Sequence, residues 1–274
     1  MKTLIFHSLE TASAKKVALN LNGEIELRKN HYRIHTKKNF DIDNYRLLSD
    51  VDLNIFDNNF DYQNIRLMVS DMDSTLITVE TIDEVAKEVG LKDEISLITE
   101  EAMQGHLDFT ESFKKRLSLL KGINNSIFEA VYSNKVELSP GAEELISYFK
   151  SNQIKTALVS GGLKFFAEKL QIKLGIENSR ANDVETINQT MTGNIIGNVI
   201  DAKEKAKYIG ELCDQYKLKN TQVIAIGDGA NDIEMMKIAG LSVAYHAKPI
   251  LKQYCNIQIN FGSLKSLIDF FEDT

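Results

Sequence analysis

The sequence predicts an α/β fold: a mainly parallel sheet, a helical insertion lying over it, and a small α+β module ahead of both. Three observations predict it. From residue 139 to residue 271 strand and helix signals alternate, the mark of βα units and a parallel sheet. Between residues 81 and 132 helical patterns follow one another with no strand between them. Several strand-like runs end in acids, hydroxyls and glycines, at the edge where open α/β sheets place their ligands.

Residues 1–62 read as the small module. A strand is expected at 3–6 and a short helix at 12–21, with Ala14, Val17, Ala18 and Leu21 on one face. Ile25, Leu27, Tyr32 and Ile34 alternate with polar residues, as in half-exposed strands. His7, His31 and His35 have no acid or cysteine at metal-ligand spacing, so packing or surface roles are expected. The stretch Asp57-Asn58-Asn59-Phe60-Asp61 reads as a linker.

Residues 63–274 follow as the larger unit. Ile65-Arg66-Leu67-Met68-Val69-Ser70 is a short aliphatic run that reads as a buried strand, and Asp71-Met72-Asp73-Ser74-Thr75 follows directly. Two acids in three residues repel unless a cation sits between them; alone, such a pair is more often an Asx turn. Thr81-Ile82-Asp83-Glu84 reads as a capping box with Thr81 as N-cap, opening a helix through residue 88 or 89 that Gly90 stops. Further helices are expected at 94–103, 109–120 and 126–132, with Gly105 and Gly122 at the turns; the insertion, about 79–137, would cap the sheet. Ser139 and Pro140 would supply the N-cap and first position of the next helix, which buries Leu145, Ile146 and Phe149. Strands are expected at 154–159, 222–226 and 241–244, and helices at 163–174, 203–216, 232–239 and 264–271. Residues 187–190 and 194–199 would flank Met191-Thr192-Gly193 as a hairpin.

Composition narrows the function. A net charge of -7 with no basic stripe argues against a nucleic-acid partner, and an anionic substrate must be drawn in by local cations or a metal. Cys213 and Cys255, with no C-x-x-C, indicate neither a disulfide framework nor a zinc site. His7, Ser8 and Glu10 interrupt the apolar start before a signal segment forms, and no run reaches the length of a membrane span. A cytoplasmic protein is expected.

Two more strand ends carry chemistry. Leu158-Val159-Ser160-Gly161-Gly162 ends in a hydroxyl and two glycines, whose backbone N–H groups can cradle a phosphate. Ile226-Gly227-Asp228-Gly229-Ala230-Asn231-Asp232 ends in carboxylates, although an ordinary βα loop with Asn231 as N-cap reads the same way. Between them Lys203, Lys205 and Lys207 share an amphipathic helix, and periodicity does not choose among them.

In this order, D-x-D-S-T, S-G-G, a lysine and G-D-G-x-N-D resemble the haloacid dehalogenase-like superfamily, which has a Rossmann-like core. Val79-Glu80-Thr81-Ile82-Asp83-Glu84 and Ala244-Tyr245-His246-Ala247-Lys248-Pro249 make the chain similar to its phosphoserine phosphatases. The likeness runs from about residue 66 to the C-terminus and leaves the first 60 or so uncovered. It implies Mg²⁺-dependent hydrolysis of O-phospho-L-serine through an aspartyl-phosphate, the last step of L-serine biosynthesis. By the resemblance, Asp71 is the nucleophile and Asp73 the general acid and base. Mg²⁺ would be held by Asp71, Asp228 and the backbone carbonyl of Asp73, with Asp232 orienting a metal-bound water. Lys205 would offset charge on the transferring phosphoryl group, Ser160 and the N–H of Gly161 would hydrogen-bond its oxygens, and Asn231 would help to place it. Glu80 would take the substrate ammonium and Arg116 its carboxylate, with Met103 and Phe109 lining that pocket. Plainer readings stand beside these: Met103 and Phe109 as helix core, Arg116 as a surface charge, His106 and His246 as structural. Some family members carry an extra N-terminal domain resembling a small ACT-like regulatory fold; the pattern of residues 1–62 is compatible with one, and homodimerisation, serine feedback or simple stabilisation are its expected roles. Two rivals are a related phosphatase or phosphotransferase, and a non-catalytic serine sensor; loss of Asp71, Asp73 or Lys205 would favour the latter, and all are present.

Overall fold

The computed structural model describes residues 1–47, 49–103 and 106–271, the side chains of residues 102 and 103 excepted. The N-terminal unit comprises β1 (Lys2–Phe6), α1 (Thr11–Asn20), β2 (Glu24–Leu27), β3 (Tyr32–Thr36), α2 (Ile42–Arg46) and β4 (Leu53–Phe56). Its sheet is antiparallel, in the order β2-β3-β1-β4. Alternation along β1 explains how it packs: Leu4 and Phe6 join Ala14, Ala18 and Ile34 in a local core, while Ile5 joins the main core.

The remainder runs β5 (Leu67–Ser70), α3 (Thr81–Glu88), α4 (Lys92–Met103), α5 (Phe109–Leu119), α6 (Ser126–Lys135), α7 (Ala142–Ser151) and β6 (Lys155–Leu163). It continues α8 (Lys164–Leu174), β7 (Asn178–Ile187), β8 (Thr190–Ile196), α9 (Ala202–Tyr216), β9 (Val223–Gly227), α10 (Ile233–Ile238), β10 (Leu241–Tyr245), α11 (Pro249–Lys252) and β11 (Ile257–Ile259). These strands form one sheet in the order β11-β10-β9-β5-β6-β7-β8, parallel except where β8 returns along β7. Because β5 lies between β9 and β6, the three strand ends that carry chemistry are neighbours.

Helices α3 to α6 form the insertion. Ile82, Val85, Phe113, Leu117, Phe128 and Val131 turn inward and join the main core. A bridge between Ile77 and Leu138 closes its base. Its far side is strapped to the sheet: Gly122 N–H donates to Met191 O at 2.8 Å, Met191 N–H to Ile123 O at 2.9 Å, and Asn125 N–H to Gln189 O at 2.8 Å.

The stretch 57–61 is a loop, yet the N-terminal unit sits firmly on the sheet edge. Asn54 exchanges two hydrogen bonds with the main chain of Gln258 in β11, at 2.9 and 2.8 Å, covering an edge that would otherwise be open. The Asp52 carboxylate accepts the N–H groups of Asn260, Phe261 and Gly262. His7 and His31 do have an acidic partner: Asp269 lies between them, at 2.8 and 3.4 Å. Phe56, Tyr62 and Phe270 pack ring on ring across the same seam.

Several local expectations need correction. Thr81 is not a capping residue: α3 begins at Thr81 after Glu80, with no side-chain cap. Gly141, at φ +81°, precedes α7, so Ser139 and Pro140 form the turn before the helix. The hairpin turns at Asn188-Gln189, both at positive φ, and Gly193 falls inside β8. Strand β6 continues through Ser160-Gly161-Gly162 to Leu163, and residues 264–270 form a 3-10 helix. Gly105 lies outside the described residues, as does the Met103 side chain. No helix among the described residues is long and apolar enough to cross a membrane.

Candidate active site

Strand β5 is buried along its whole length and delivers Asp71 to the sheet's C-terminal edge. Asp71 N–H donates to Ile226 O at 2.9 Å, so the ends of β5 and β9 lie together. The chain then turns: Leu76 and Ile77 return their N–H groups to Met72 O, and Ser74 takes φ +54°. Asp73 is left in the same cavity as Asp71. A Cβ on Gly162 would collide with Asp73 Oδ2, which accounts for glycine there.

Helix α9 is capped by Asp201, which accepts Glu204 N–H at 2.9 Å. Its first turn sends Lys205 inward, fully buried, while Lys203 and Lys207 stay exposed. Lys205 Nζ lies 2.8 Å from Asp71 Oδ2 and 2.7 Å from Asp232 Oδ1. Burial alone would lower its pKa, but Asp232 and Asp71 outweigh burial and the net shift is upward, so the ammonium stays charged. Asp232 Oδ2 accepts the N–H groups of Asp228 and Gly229 at 3.0 and 3.1 Å, which fixes the loop after β9.

The acids are crowded. Burial, then Asp232, pushes Asp71 well above the usual carboxylate range against the pull of Lys205. Burial and Glu80 do the same to Asp73, opposed by hydrogen bonds from Thr81. Burial, Asp232 and Glu80 push Asp228 up to about 7. Carboxylate oxygens of Asp71, Asp228 and Asp232 lie within 4.8 Å of one another. One ammonium does not neutralise this group, and no hydrogen bond reaches the Asp228 carboxylate among the described residues. An all-oxygen donor set with excess negative charge fits a hard divalent cation. Asp232 is engaged on both oxygens, and so is Asp71, whose Oδ1 accepts Met72 N–H at 2.7 Å and whose Oδ2 meets Lys205; of the three, Asp228 has its carboxylate free of such bonds among the described residues.

Ser160 Oγ accepts Gly162 N–H at 2.9 Å, which leaves its own hydrogen free to donate. Behind this loop the β6–β7 register shifts between Val159 and Leu163. Asn182, buried, fills the irregularity: Nδ2 donates to Gly161 O at 2.8 Å and Oδ1 accepts Ile200 N–H at 2.8 Å. It thereby joins the S-G-G loop to the segment leading into α9. Sequence reasoning missed it, since one polar residue in a strand carries no signal of its own.

One cavity of about 650 Å³ is walled on the sheet side by Asp71, Asp73, Ser160, Gly161, Asp228 and Asn231. The cap supplies Glu80, Asp83, Phe109 and Arg116. The structure therefore brings the sequence-predicted residues together, with Lys205 and Asp232 behind Asp71 and the Met103 side chain undescribed. Glu80 Oε1 accepts Ser74 Oγ–H at 2.7 Å. Among the described residues the buried Arg116 Nε has no hydrogen-bond partner, an unsatisfied donor beside the cavity. Asp83 was also missed; its Oδ1 is likewise buried without a hydrogen-bond partner among the described residues. Phe109 reaches down to the Ser160-Gly161-Gly162 segment, where a Cβ on Gly161 would stand 2.6 Å from its Cζ.

Comparison with known proteins agrees with this geometry. The family model for haloacid dehalogenase-like hydrolases matches residues 65–240. A phosphoserine phosphatase from Polaromonas sp. is 43% identical over 209 residues, covering 74% of this chain and 89% of its own. A haloacid dehalogenase family hydrolase from Salmonella enterica serovar Typhi superposes with a TM-score of 0.90 at 29% identity, covering 100% of this chain and 99% of that one. The phospho-aspartyl intermediate analogue of a phosphoserine phosphatase superposes with a TM-score of 0.71 at 36% identity, covering 76% and 99%.

Proposed function

The chain belongs to the haloacid dehalogenase-like hydrolases, and from that premise we propose that it is a phosphoserine phosphatase, hydrolysing O-phospho-L-serine to L-serine and phosphate with Mg²⁺. One observation carries the substrate: a single cavity has phosphoryl chemistry on its sheet side and two opposite charges, Glu80 and Arg116, on its cap side. Those charges match the ammonium and carboxylate of an amino acid.

Phosphoryl transfer needs positioning and charge compensation more than bond-making groups. An Asp71 oxygen attacks phosphorus opposite the seryl oxygen, and the P–O bond to serine breaks as the aspartyl-phosphate forms. Asp73, protonated in the complex, passes its proton to the departing seryl oxygen. It then takes a proton from water, which attacks the aspartyl-phosphate and frees phosphate and Asp71. Ser160 Oγ–H and Gly161 N–H hydrogen-bond the phosphoryl oxygens, and Asn231 helps to place them. Lys205 compensates charge on Asp71. Asp71, Asp228 and the carbonyl of Asp73 would hold Mg²⁺, which when bound offsets the phosphate's negative charge. Glu80 receives the ammonium, and Arg116 offers its fork to the carboxylate. Two free cysteines suit the cytoplasmic setting expected for such an enzyme.

The test is phosphate release with Mg²⁺, comparing kcat/KM for phosphoserine, phosphothreonine and an aryl phosphate. Asp71→Asn should abolish turnover of all three. Arg116→Ala should lower kcat/KM for phosphoserine by about 10²-fold while sparing the aryl phosphate, as expected when a charge-assisted contact worth roughly 2–3 kcal/mol is lost. Activity on the aryl phosphate alone would retain the mechanism and reject the substrate.

A further inference from the structure

We infer that Thr81 is the positioning residue for Asp73, and that it makes the aim of the general acid depend on the seating of the first cap helix. The inference rests on the acid role given to Asp73 above. Thr81 is fully buried and is the first residue of α3. Its N–H donates to Asp73 Oδ1 at 3.1 Å and its hydroxyl to Oδ2 at 3.3 Å. One residue therefore reaches both oxygens, from two groups held in nearly fixed relation because a β-branched side chain is stiff at χ1. No other hydrogen bond to this carboxylate occurs among the described residues.

Thr81 serves Asp73 with groups that α3 does not use for itself. The N–H belongs to a first turn, which has no intrahelical acceptor. The hydroxyl sits on the first helical residue, one past the N-cap position, and α3 has no side-chain cap hydrogen bond. On the opposite side, a Cβ at Gly162 would collide with Asp73 Oδ2 and stand 3.0 Å from Met72 Cε. The carboxyl is thus confined between the first residue of the cap and the phosphate loop. Asp73 belongs to the sheet and Thr81 to the cap, so an unseated α3 would withdraw both donors.

General acid catalysis matters in proportion to the basicity of the leaving group. Seryl alkoxide needs the proton; the carboxylate released from acetyl phosphate does not. Thr81→Val and Thr81→Ser would be compared with the unaltered protein by kcat/KM on phosphoserine and on acetyl phosphate, with inorganic phosphate as a competitive inhibitor. Thr81→Val should lower kcat/KM for phosphoserine at least about tenfold and that for acetyl phosphate by less than about threefold. Inhibition by phosphate should not change, and Thr81→Ser should restore most of the phosphoserine activity. Equal losses on both substrates, weakened phosphate inhibition, or an unaffected Thr81→Val would each overturn the inference. An unaltered protein that cleaves acetyl phosphate but not phosphoserine would instead reject the substrate reading.

Discussion

Residue by residue, the sheet side of the site is a set of buried charges that water screens poorly. Lys205 shows it best, a fully buried ammonium in contact with two buried carboxylates. Removing one partner of a buried ionic group costs about 3–5 kcal/mol, because the rest is left uncompensated. Lys205→Met should therefore lower the unfolding free energy by about that amount in metal-free buffer at neutral pH, as read by urea unfolding. An unchanged midpoint would show that the carboxylates find other compensation. The acids of the site were legible as residue types at strand ends. Lys205 was legible only through resemblance, since Lys203 and Lys207 fit the same periodicity and only the tertiary fold buries one of the three. Thr81 was read as a cap because local rules assign a helix-start hydroxyl to its own backbone; a carboxylate eight residues back competes better.

At the scale of elements, contacts between distant segments decide what local pattern does not. His7 and Asp269 are 262 positions apart, so nothing near either histidine announces the acid that holds it. The hairpin was misplaced for a related reason: glycine suggested the turn at Met191-Thr192-Gly193, whereas Gly193 is needed where β8 passes Ser118 and Lys121 of the cap. The histidine cluster has a measurable signature. Burial alone would raise the Asp269 pKa, but the close His31 ring and the hydrogen bond and charge of His7 prevail and hold it below the usual range. A group depressed in this way stabilises the fold above its unfolded pKa, near 4, and loses that contribution as pH falls through the folded value. Asp269→Asn should therefore reduce stability above about pH 4 and lessen its fall in more acid solution, as followed by urea unfolding from about pH 6 to 2.5. Parallel curves for the two proteins would refute the assignment.

For the whole molecule, the alternating pattern of strands and helices was legible because the parallel sheet is buried and its strands read as apolar runs. Docking of the N-terminal unit was not, because it relies on Asp52, Asn54 and aromatic rings that look ordinary in sequence. None of its described residues lines the active-site cavity. A chain beginning at Tyr62 should thus keep kcat within about twofold yet melt about 5–10 °C lower, since Phe270 and Asp269 lose their cover. Loss of activity in a folded truncated protein would assign the unit a part in the reaction. The hydrogen bonds that strap residues 122–125 to Gln189 and Met191 bear on affinity through entropy. Arg116 lies within one turn of the end of α5, close to that strap. Its backbone is located when the chain folds, so binding has only side-chain freedom left to restrict, about 2 kcal/mol at most. Ordering completed before the substrate arrives tightens the complex without adding a contact, and under the proposed function the substrate carboxylate would meet a part of the cap already tied to the sheet.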